Sequence, residues 1–565
     1  MRVLVLAATV AIGFLGRVTI AISAEEEVNL GSVTERHEMI PMRDGTRLSA
    51  YLYLPPGDGP WPVLYEQRYA DLRSRGTREG MARRAAAGYA VVAENFRGSQ
   101  LSEGVWVGYR ALGWGDLQDG YDTVEWLAAQ SWSNGKIGTF GSSQAGFAQN
   151  FLAVTQPPHL VCQYMIDTGL SLFHEGYRIG GATKPERFKT MDAICREPLD
   201  NRRLMDQWFR HPTYDKYWAA EDCTLHFAKM DVPCFTIGSW YDYMCVGSVE
   251  SYIGRQHRGG PHSRGQQQLL IGPWLHGGAK DNHSGELTYP SNAGFAMEAH
   301  ILRWFDHYLR GIDNGVEREP TIRYYTMGPV DETKSPGNQW RTADDWPVRS
   351  TPTAFYLHSG KGHEAGEPEA GGLLDQRAPE TRERPTTFLA DPLHPNSIPG
   401  TAFPGARDAQ AFEKQAEVRT FTTGPLAKAT EWTGKVRAEL FVSSSAKDTD
   451  FIVRVSDVYP DGRSILIMDS IRRARHRNGF DREDLLTPGE IVKVAFDVGW
   501  LSQVFAAGHR IRITVASTGA PFYEPNPNTG EPLTIEPPSD VVVAKNTVYH
   551  APEHASRILA PVRSE

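Results

Sequence analysis

A chain of 565 residues exceeds one ordinary core, so two or three domains are expected. With 40% hydrophobic and 22% charged residues it lies near globular averages, which excludes a disordered, collagenous or polytopic membrane protein. The net charge of -9 is modest for this length and no dense Lys/Arg run with interleaved aromatics occurs, so nucleic acid is not an expected partner.

The chain opens on Met1-Arg2, an apolar run from Val3 to Gly16, and then Ala21-Ile22-Ser23-Ala24 before Glu25-Glu26-Glu27. This reads as a secretory signal over residues 1–24, cleaved after Ala24, and so as an exported protein. Arg17 leaves the apolar stretch too short for a spanning helix, and no later stretch is long and apolar enough, so no membrane span remains after signal removal.

Residues 25–347 alternate short apolar strands with longer amphipathic stretches. Leu48 to Leu54, Pro62 to Tyr69, Tyr89 to Asn95, Lys136 to Phe140, Leu160 to Ile166, Pro233 to Trp240 and Gln268 to Trp274 read as strands. Several are continuously apolar, as in strands covered on both faces; Tyr121 to Gln130 and Gln144 to Gln156 read as helices between them. The expectation is an α/β domain with a largely parallel sheet. Between Thr168 and Lys229 aromatic, charged and Met residues recur at helical spacing, which reads as a helical cap inserted above the sheet. Five cysteines, Cys162, Cys195, Cys223, Cys234 and Cys245, lack Cys-x-x-Cys spacing; one or two bridges are compatible with export, and no zinc site is expected.

Beyond Thr351 the pattern changes to alternating strands split by Pro, Gly, Asn and Asp: Ala354 to Leu357, Val436 to Ser443, Phe451 to Val458, Ile465 to Asp469, Ile491 to Val498 and Arg510 to Ala516. Residues 348–565 therefore read as an all-β sandwich or jelly roll, with residues 360–415 as a long irregular connection.

The chemistry concentrates at strand ends. Lys136 to Phe140 runs into Gly141-Ser142-Ser143-Gln144-Ala145-Gly146 and then a helix, the setting of a nucleophile elbow. A serine there needs small residues two places before and after, because strand and helix approach closely. Ser143 has Gly141 and Ala145, whereas Ser142 has Phe140 before it. The base and orienting acid follow in the order Ser, Asp, His in this type of fold. Asp242 follows the strand ending at Trp240, and His276 follows Leu269-Leu270-Ile271-Gly272-Pro273-Trp274. Asp167 is a rival acid, also at a strand end; His262 and His283 are rival bases, but neither directly follows an apolar strand. For the oxyanion, the backbone N–H of Gln144 and the hydroxyl of Tyr69, after the strand that begins at Pro62, are candidate donors.

These segments resemble the cocaine esterase and X-Pro dipeptidyl-peptidase family of serine hydrolases. Its marks here are Arg97-Gly98 with Ser102-Glu103-Gly104, Gly138-Thr139-Phe140-Gly141-Ser142-Ser143, Gly238-Ser239-Trp240-Tyr241-Asp242 and Gly272-Pro273-Trp274-Leu275-His276. They continue as Asp448-Thr449-Asp450-Phe451, Asp457-Val458-Tyr459-Pro460-Asp461-Gly462 and Asn526-Pro527-Asn528-Thr529-Gly530. The resemblance implies an α/β-hydrolase domain with a helical cap and a carboxyl-terminal jelly roll of galactose-binding-like type. It also implies Ser143 as nucleophile, Asp242 as acid, His276 as base and Tyr69 as oxyanion hydroxyl. Two departures stand out. Gln144 replaces the usual Tyr after the nucleophile, and Tyr243, Met244 and Cys245 follow Asp242 where α-amino acid ester hydrolases carry carboxylates.

The expected activity is a carboxylesterase or acylase cleaving a small-molecule ester or amide through an acyl-enzyme, without metal or organic cofactor; a homo-oligomer is compatible with the sequence. The alternative inside the enzyme class is removal of dipeptides after proline, gripped at the amino terminus by Glu175, Glu221 or Asp222, which read equally as solvated helix charges. A third reading is a glycan-binding protein with an inactive hydrolase domain.

Overall fold

Strands covered on both faces must be apolar at both sets of alternating positions, and the first half of the chain is built that way. The structure, a computed structural model, describes residues 28–184, 188–332, 336–360, 371–398, 405–536 and 538–563; the expected signal lies outside them. Ten strands form one sheet: β1 (Thr34–Pro41), β2 (Arg47–Leu54), β3 (Trp61–Arg68), β4 (Ala90–Asn95), β5 (Ser133–Ser142), β6 (Leu160–Ile166), β7 (Cys234–Ser239), β8 (Gln267–Gly272), β9 (Ile322–Thr326) and β10 (Gln339–Ala343). Their order is β1-β2-β4-β3-β5-β6-β7-β8-β9-β10. From β4 to β9 every neighbouring pair is parallel, and β1, β2 and β10 are antiparallel to their neighbours.

The period of two is visible in where side chains go. Tyr51, Tyr53, Leu64, Val91 and Ala93 join a core with helices α1 (Arg75–Ala86) and α6 (Met297–Arg310). Leu52, Leu54, Val63, Tyr65 and Val92 join a core on the other face with α2 (Asp119–Ala128) and α3 (Gln144–Thr155). Because the central strands are parallel, the loops after β5, β6, β7 and β8 emerge side by side along one edge, where sites of open α/β sheets assemble.

The cap is less helical than expected. Of residues 168–229, α4 (Pro198–Arg210) is a long helix. The rest of the described part is short helical segments, such as Leu172–Gly176, Thr190–Ala193 and Lys216–Ala219, joined by turns and one small hairpin, Arg178–Ile179 with Ala182–Thr183. Its apolar spacing comes from aromatic packing: Tyr177, Phe188, Trp208 and Trp218 share one buried cluster with Phe147 and Phe151 of α3. Glu221 and Asp222 are buried there and Glu175 is half-buried, so none of the three is a freely solvated helix charge. All five cysteines are buried and free.

The second half is β-rich: β11 (Thr351–His358), β12 (Gly371–Asp375), β13 (Thr386–Ala390), β14 (Arg419–Thr422), β15 (Thr430–Ser444), β16 (Asp450–Val458), β17 (Ser464–Arg473), β18 (Val492–Phe505), β19 (Arg510–Ala516), β20 (Ala544–Val548) and β21 (Arg557–Arg563). They order as β13-β20-β15-β21-β11-β12-β14-β19-β16-β17, with β18 pairing β15. The stretch expected to be wholly irregular thus supplies β12 and β13, whose short alternations are masked by flanking Pro and Gly.

The two halves share one core. Trp240, Tyr252, Tyr324 and Trp346 from the first pack with Trp432, Val436, Trp500 and Phe505 of the second. Trp346 is 1% exposed, and its ring centre lies 5.3 Å from that of Tyr324, 5.9 Å from Trp500 and 6.1 Å from Trp240. Backbone bonds from Met327 N–H to Ser502 C=O (2.9 Å) and from Val504 N–H to Met327 C=O (2.8 Å) stitch the halves together. Trp346→Ala should therefore destabilise by about 3–5 kcal/mol, the usual cost of emptying a buried aromatic site. Urea unfolding by tryptophan fluorescence and circular dichroism measures it; a loss below about 1 kcal/mol would mean that the shared core does not depend on this ring.

Candidate functional site

Ser143 sits between the end of β5 and the first turn of α3 with φ 58° and ψ −116°, a strained backbone for a residue with a side chain. Two N–H···O contacts hold the strain, from Ser143 N–H to the carbonyls of Ile166 (3.0 Å) and Asp167 (3.2 Å) on the neighbouring strand. The need for small neighbours is literal. Gly141 has φ 140°, and a methyl placed on it would lie 2.5 Å from Ala145 Cβ. A methyl on Gly146 would lie 2.9 Å from Thr168 Cβ.

Asp242 and His276 come from adjacent loops that continue the pairing of their strands. Trp240 N–H donates to Gly272 C=O at 2.9 Å and Tyr241 N–H to Trp274 C=O at 3.2 Å. That register brings His276 Nδ1 within 2.7 Å of Asp242 Oδ2. The Asp242 side chain is fully buried, its Oδ1 accepts from Met244 N–H at 3.0 Å, and the imidazole is partly exposed. With Nδ1 engaged, the imidazole presents Nε2. The rival bases are exposed and engaged elsewhere: His262 with Asp231 (2.8 Å) and His283 with Thr288 (2.8 Å).

Asp167, the rival acid, lies beside this pair but bonds differently. Its Oδ2 accepts from Ser239 Oγ (3.1 Å) and from the N–H groups of Gly277 (2.7 Å) and Gly278 (2.9 Å), so it grips the turn that follows His276. Burial first, and then the negative charge of Asp242, push its carboxyl up to about 7. Among the described residues, Asp167, Asp242 and His276 are the group whose ligand atoms, all within 4.8 Å of one another, could hold a metal ion. The Nδ1 to Oδ2 hydrogen bond already occupies two of those atoms.

Tyr69 follows β3, with its ring edge-on to Phe96 and Trp106, centres 5.6 Å apart in each case. Its backbone is tied to the elbow by a contact that sequence reasoning missed. Gln144 Oε1 accepts from the N–H of Tyr69 (2.8 Å) and of Ala70 (3.0 Å). Gln144, expected to contribute only its backbone N–H, thus also clamps the loop after β3 onto the start of α3 with its side chain. As the first residue of α3, Gln144 also has an N–H with no carbonyl partner inside the helix.

A cavity of about 320 Å³ opens between the two halves. Asp242, Tyr243, His174 and Glu175 line it from one side and Met468, Trp500, Phe522 and Tyr523 from the other; neither Ser143 nor His276 is in its wall. Of the three cap carboxyls considered as amine anchors, Glu221 pairs with Arg110 (3.3 Å) and Asp222 accepts from Tyr214 Oη (2.6 Å) and Thr224 N–H (2.9 Å). Only Glu175 faces the cavity. Burial pushes it up to about 8, so it is largely neutral near pH 7.

Comparisons with known proteins bear on the family and the fold. Residues 44–203 and 184–278 match the family model of the X-Pro dipeptidyl-peptidase (S15 family), and residues 314–559 match the X-Pro dipeptidyl-peptidase C-terminal non-catalytic domain. The chain is 30% identical over 583 residues to the cocaine esterase of Rhodococcus sp. (strain MB1 Bresler), covering 93% of this chain and 97% of that one. An α-amino acid ester hydrolase structure superposes with a TM-score of 0.81 at 23% identity, over 97% of this chain and 100% of that one. An aminopeptidase from the marine sediment archaeon Thaumarchaeota archaeon superposes with a TM-score of 0.80 at 22% identity, over 98% and 100%. At these identities the two structures speak for the fold.

The Gln144 clamp makes its own prediction. Gln144→Ala frees two backbone N–H groups, each bond contributing about 1 kcal/mol, so kcat should fall about tenfold. Amide exchange at residues 69–71 should quicken in parallel. Unchanged exchange would show that the aromatic packing of Tyr69 holds the loop alone.

Proposed function

The chain belongs to the cocaine esterase and X-Pro dipeptidyl-peptidase (S15) family of serine hydrolases, and on that premise we propose that it cleaves carboxylic esters, or activated amides, through an acyl-enzyme on Ser143. The observation that carries the proposal is the 2.7 Å bond between His276 Nδ1 and buried Asp242 Oδ2, on the same sheet edge as a serine held at φ 58°. In this reading His276 Nε2 removes the proton from Ser143 Oγ as it attacks the carbonyl carbon. Asp242 keeps the imidazole in the tautomer with its proton on Nδ1 and stabilises the imidazolium that forms. The same proton passes to the leaving alcohol or amine, and a water then repeats the sequence to release the acid.

Charge that develops on the carbonyl oxygen is met by two donors, the Gln144 N–H and the Tyr69 hydroxyl. The clamp between Gln144 Oε1 and the Tyr69 and Ala70 N–H groups supports this pairing, because it ties the two donors' backbones together before substrate arrives. Ester cleavage is favoured over dipeptide removal by the cap carboxyls. A free substrate amine needs an ionised partner, and the one acid of the three that faces the cavity is kept largely neutral by burial.

A fluorophosphonate should add one phosphonyl group to Ser143, found by peptide mass mapping, and Ser143→Ala should abolish both labelling and turnover. Labelling confined to Ser142 would overturn the elbow assignment, and no labelling at all would favour an inactive, ligand-binding domain. Short-chain aryl esters should be turned over at least about tenfold more efficiently than a Pro-anilide dipeptide; the reverse order would establish the peptidase reading. Tyr69→Phe should lower kcat by roughly 10² to 10³ with little change in KM, since its hydroxyl acts as charge develops. Normal turnover by Tyr69→Phe would require another second donor.

A further inference from the structure

Asp167 is a fully buried acid on the working edge of the sheet that the reaction just described does not use. It directly follows β6 with φ 46°, a left-handed backbone, and its side chain meets the neighbouring loops. One oxygen, Oδ2, collects three donors, while Oδ1 is buried with no hydrogen-bond partner among the described residues. Two of the donors are consecutive backbone N–H groups, at Gly277 (φ 99°) and Gly278 (φ 75°), which immediately follow His276. Successive N–H groups converging on one oxygen form a concave seat for an anion. Side chains at either glycine would be strained in that conformation.

We propose that Asp167 is a positioning residue of the triad, which anchors His276 through the two glycine N–H groups and places a second, conditionally charged carboxyl beside its imidazole. The proposal rests on the assignment of His276 as the base.

The groups facing Asp167 come from several elements. Asp242 lies after β7, His276 after β8 and the Ser239 hydroxyl at the end of β7. The Cys245 thiol on α5 (Cys245–Arg258) is kept protonated by burial and by both carboxylates. Lys280 reaches the same turn, its Nζ 2.6 Å from where a methyl on Gly277 would sit. Two carboxylates this close in a buried space resist ionising together, so Asp167, pushed up to about 7, changes charge within the range where an imidazole titrates. When neutral it only anchors. When ionised it adds a second negative charge near the imidazolium and makes His276 a stronger base. No proton needs to move to Asp167 during turnover.

The test is the pH profile of kcat from pH 5 to 9 on an aryl ester, for wild type, Asp167→Asn and Ser239→Ala. Each protein is first titrated with a fluorophosphonate at Ser143, so that a missing nucleophile is told apart from a missing modulator. Asn keeps an acceptor for the glycine N–H groups and loses the charge. Asp167→Asn should lower the plateau about tenfold, leave KM within about twofold, and move the ascending limb about one unit to lower pH, because an imidazole without the second carboxylate protonates less readily. Ser239→Ala removes a donor that favours the ionised carboxyl, so the upper part of its limb should move to higher pH. Profiles of wild-type shape in both variants, whatever their height, would overturn the proposal and leave Asp167 as scaffold alone. If Asp167→Asn does not fold, a wild-type profile in Ser239→Ala overturns it by itself.

Discussion

Strand β5 and helix α3 approach so closely around Ser143 that a methyl on Gly141 would lie 2.5 Å from Ala145 Cβ, and much of the site is a consequence of that approach. A turn this tight carries the serine at its apex, in a left-handed backbone held by carbonyls at the end of the next strand and just beyond it. The serine is thereby lifted out of the sheet. The residue after it becomes the first of α3, with a free N–H and a side chain close enough to seize the loop after β3. One steric constraint thus sets the position of the serine, of the Gln144 N–H after it and of the clamp on the Tyr69 loop. The parallel register does the rest, because successive strands deliver Asp167, Asp242 and His276 to the same edge in order.

The second half of the chain is not an appendage. Its aromatic core is continuous with that of the sheet through Trp240, Trp346 and Trp500, so the wall it contributes to the cavity is rigidly placed relative to Asp242. The sheet edge carries Ser143, Asp242 and His276, while the cap and the β-rich domain line the neighbouring cavity. The neutrality of Glu175 lowers the charge of that space.

How much of this was legible beforehand depends on how local each feature is. Strand β6 was expected at its observed limits, and β19 likewise, because strong apolar patterning is local. The placement of Ser143, Asp242 and His276 at strand ends was legible for a related reason, since each follows an apolar strand within a few residues. The cap was legible as an insertion of helical segments but not in how short most of them are, because residues 168–229 also pack by aromatic contact, and aromatic spacing imitates helical periodicity. Glu175, Glu221 and Asp222 looked like surface charges because nothing in one dimension shows the ring cluster that encloses them. The Gln144 clamp and the grip of Asp167 on Gly277 and Gly278 join residues far apart in the chain. The Gly-Gly pair directly after His276 was the available signal, since two consecutive glycines mark a turn that needs left-handed backbone.

The central claim is that a covalent intermediate forms on Ser143 and nowhere else, and its most direct measurement is the pre-steady-state burst of phenolate from an activated aryl ester. Wild type and Ser142→Ala should each release about one equivalent per chain before the steady state, and Ser143→Ala should release none. A full burst from Ser143→Ala, or its loss in Ser142→Ala alone, would contradict the account.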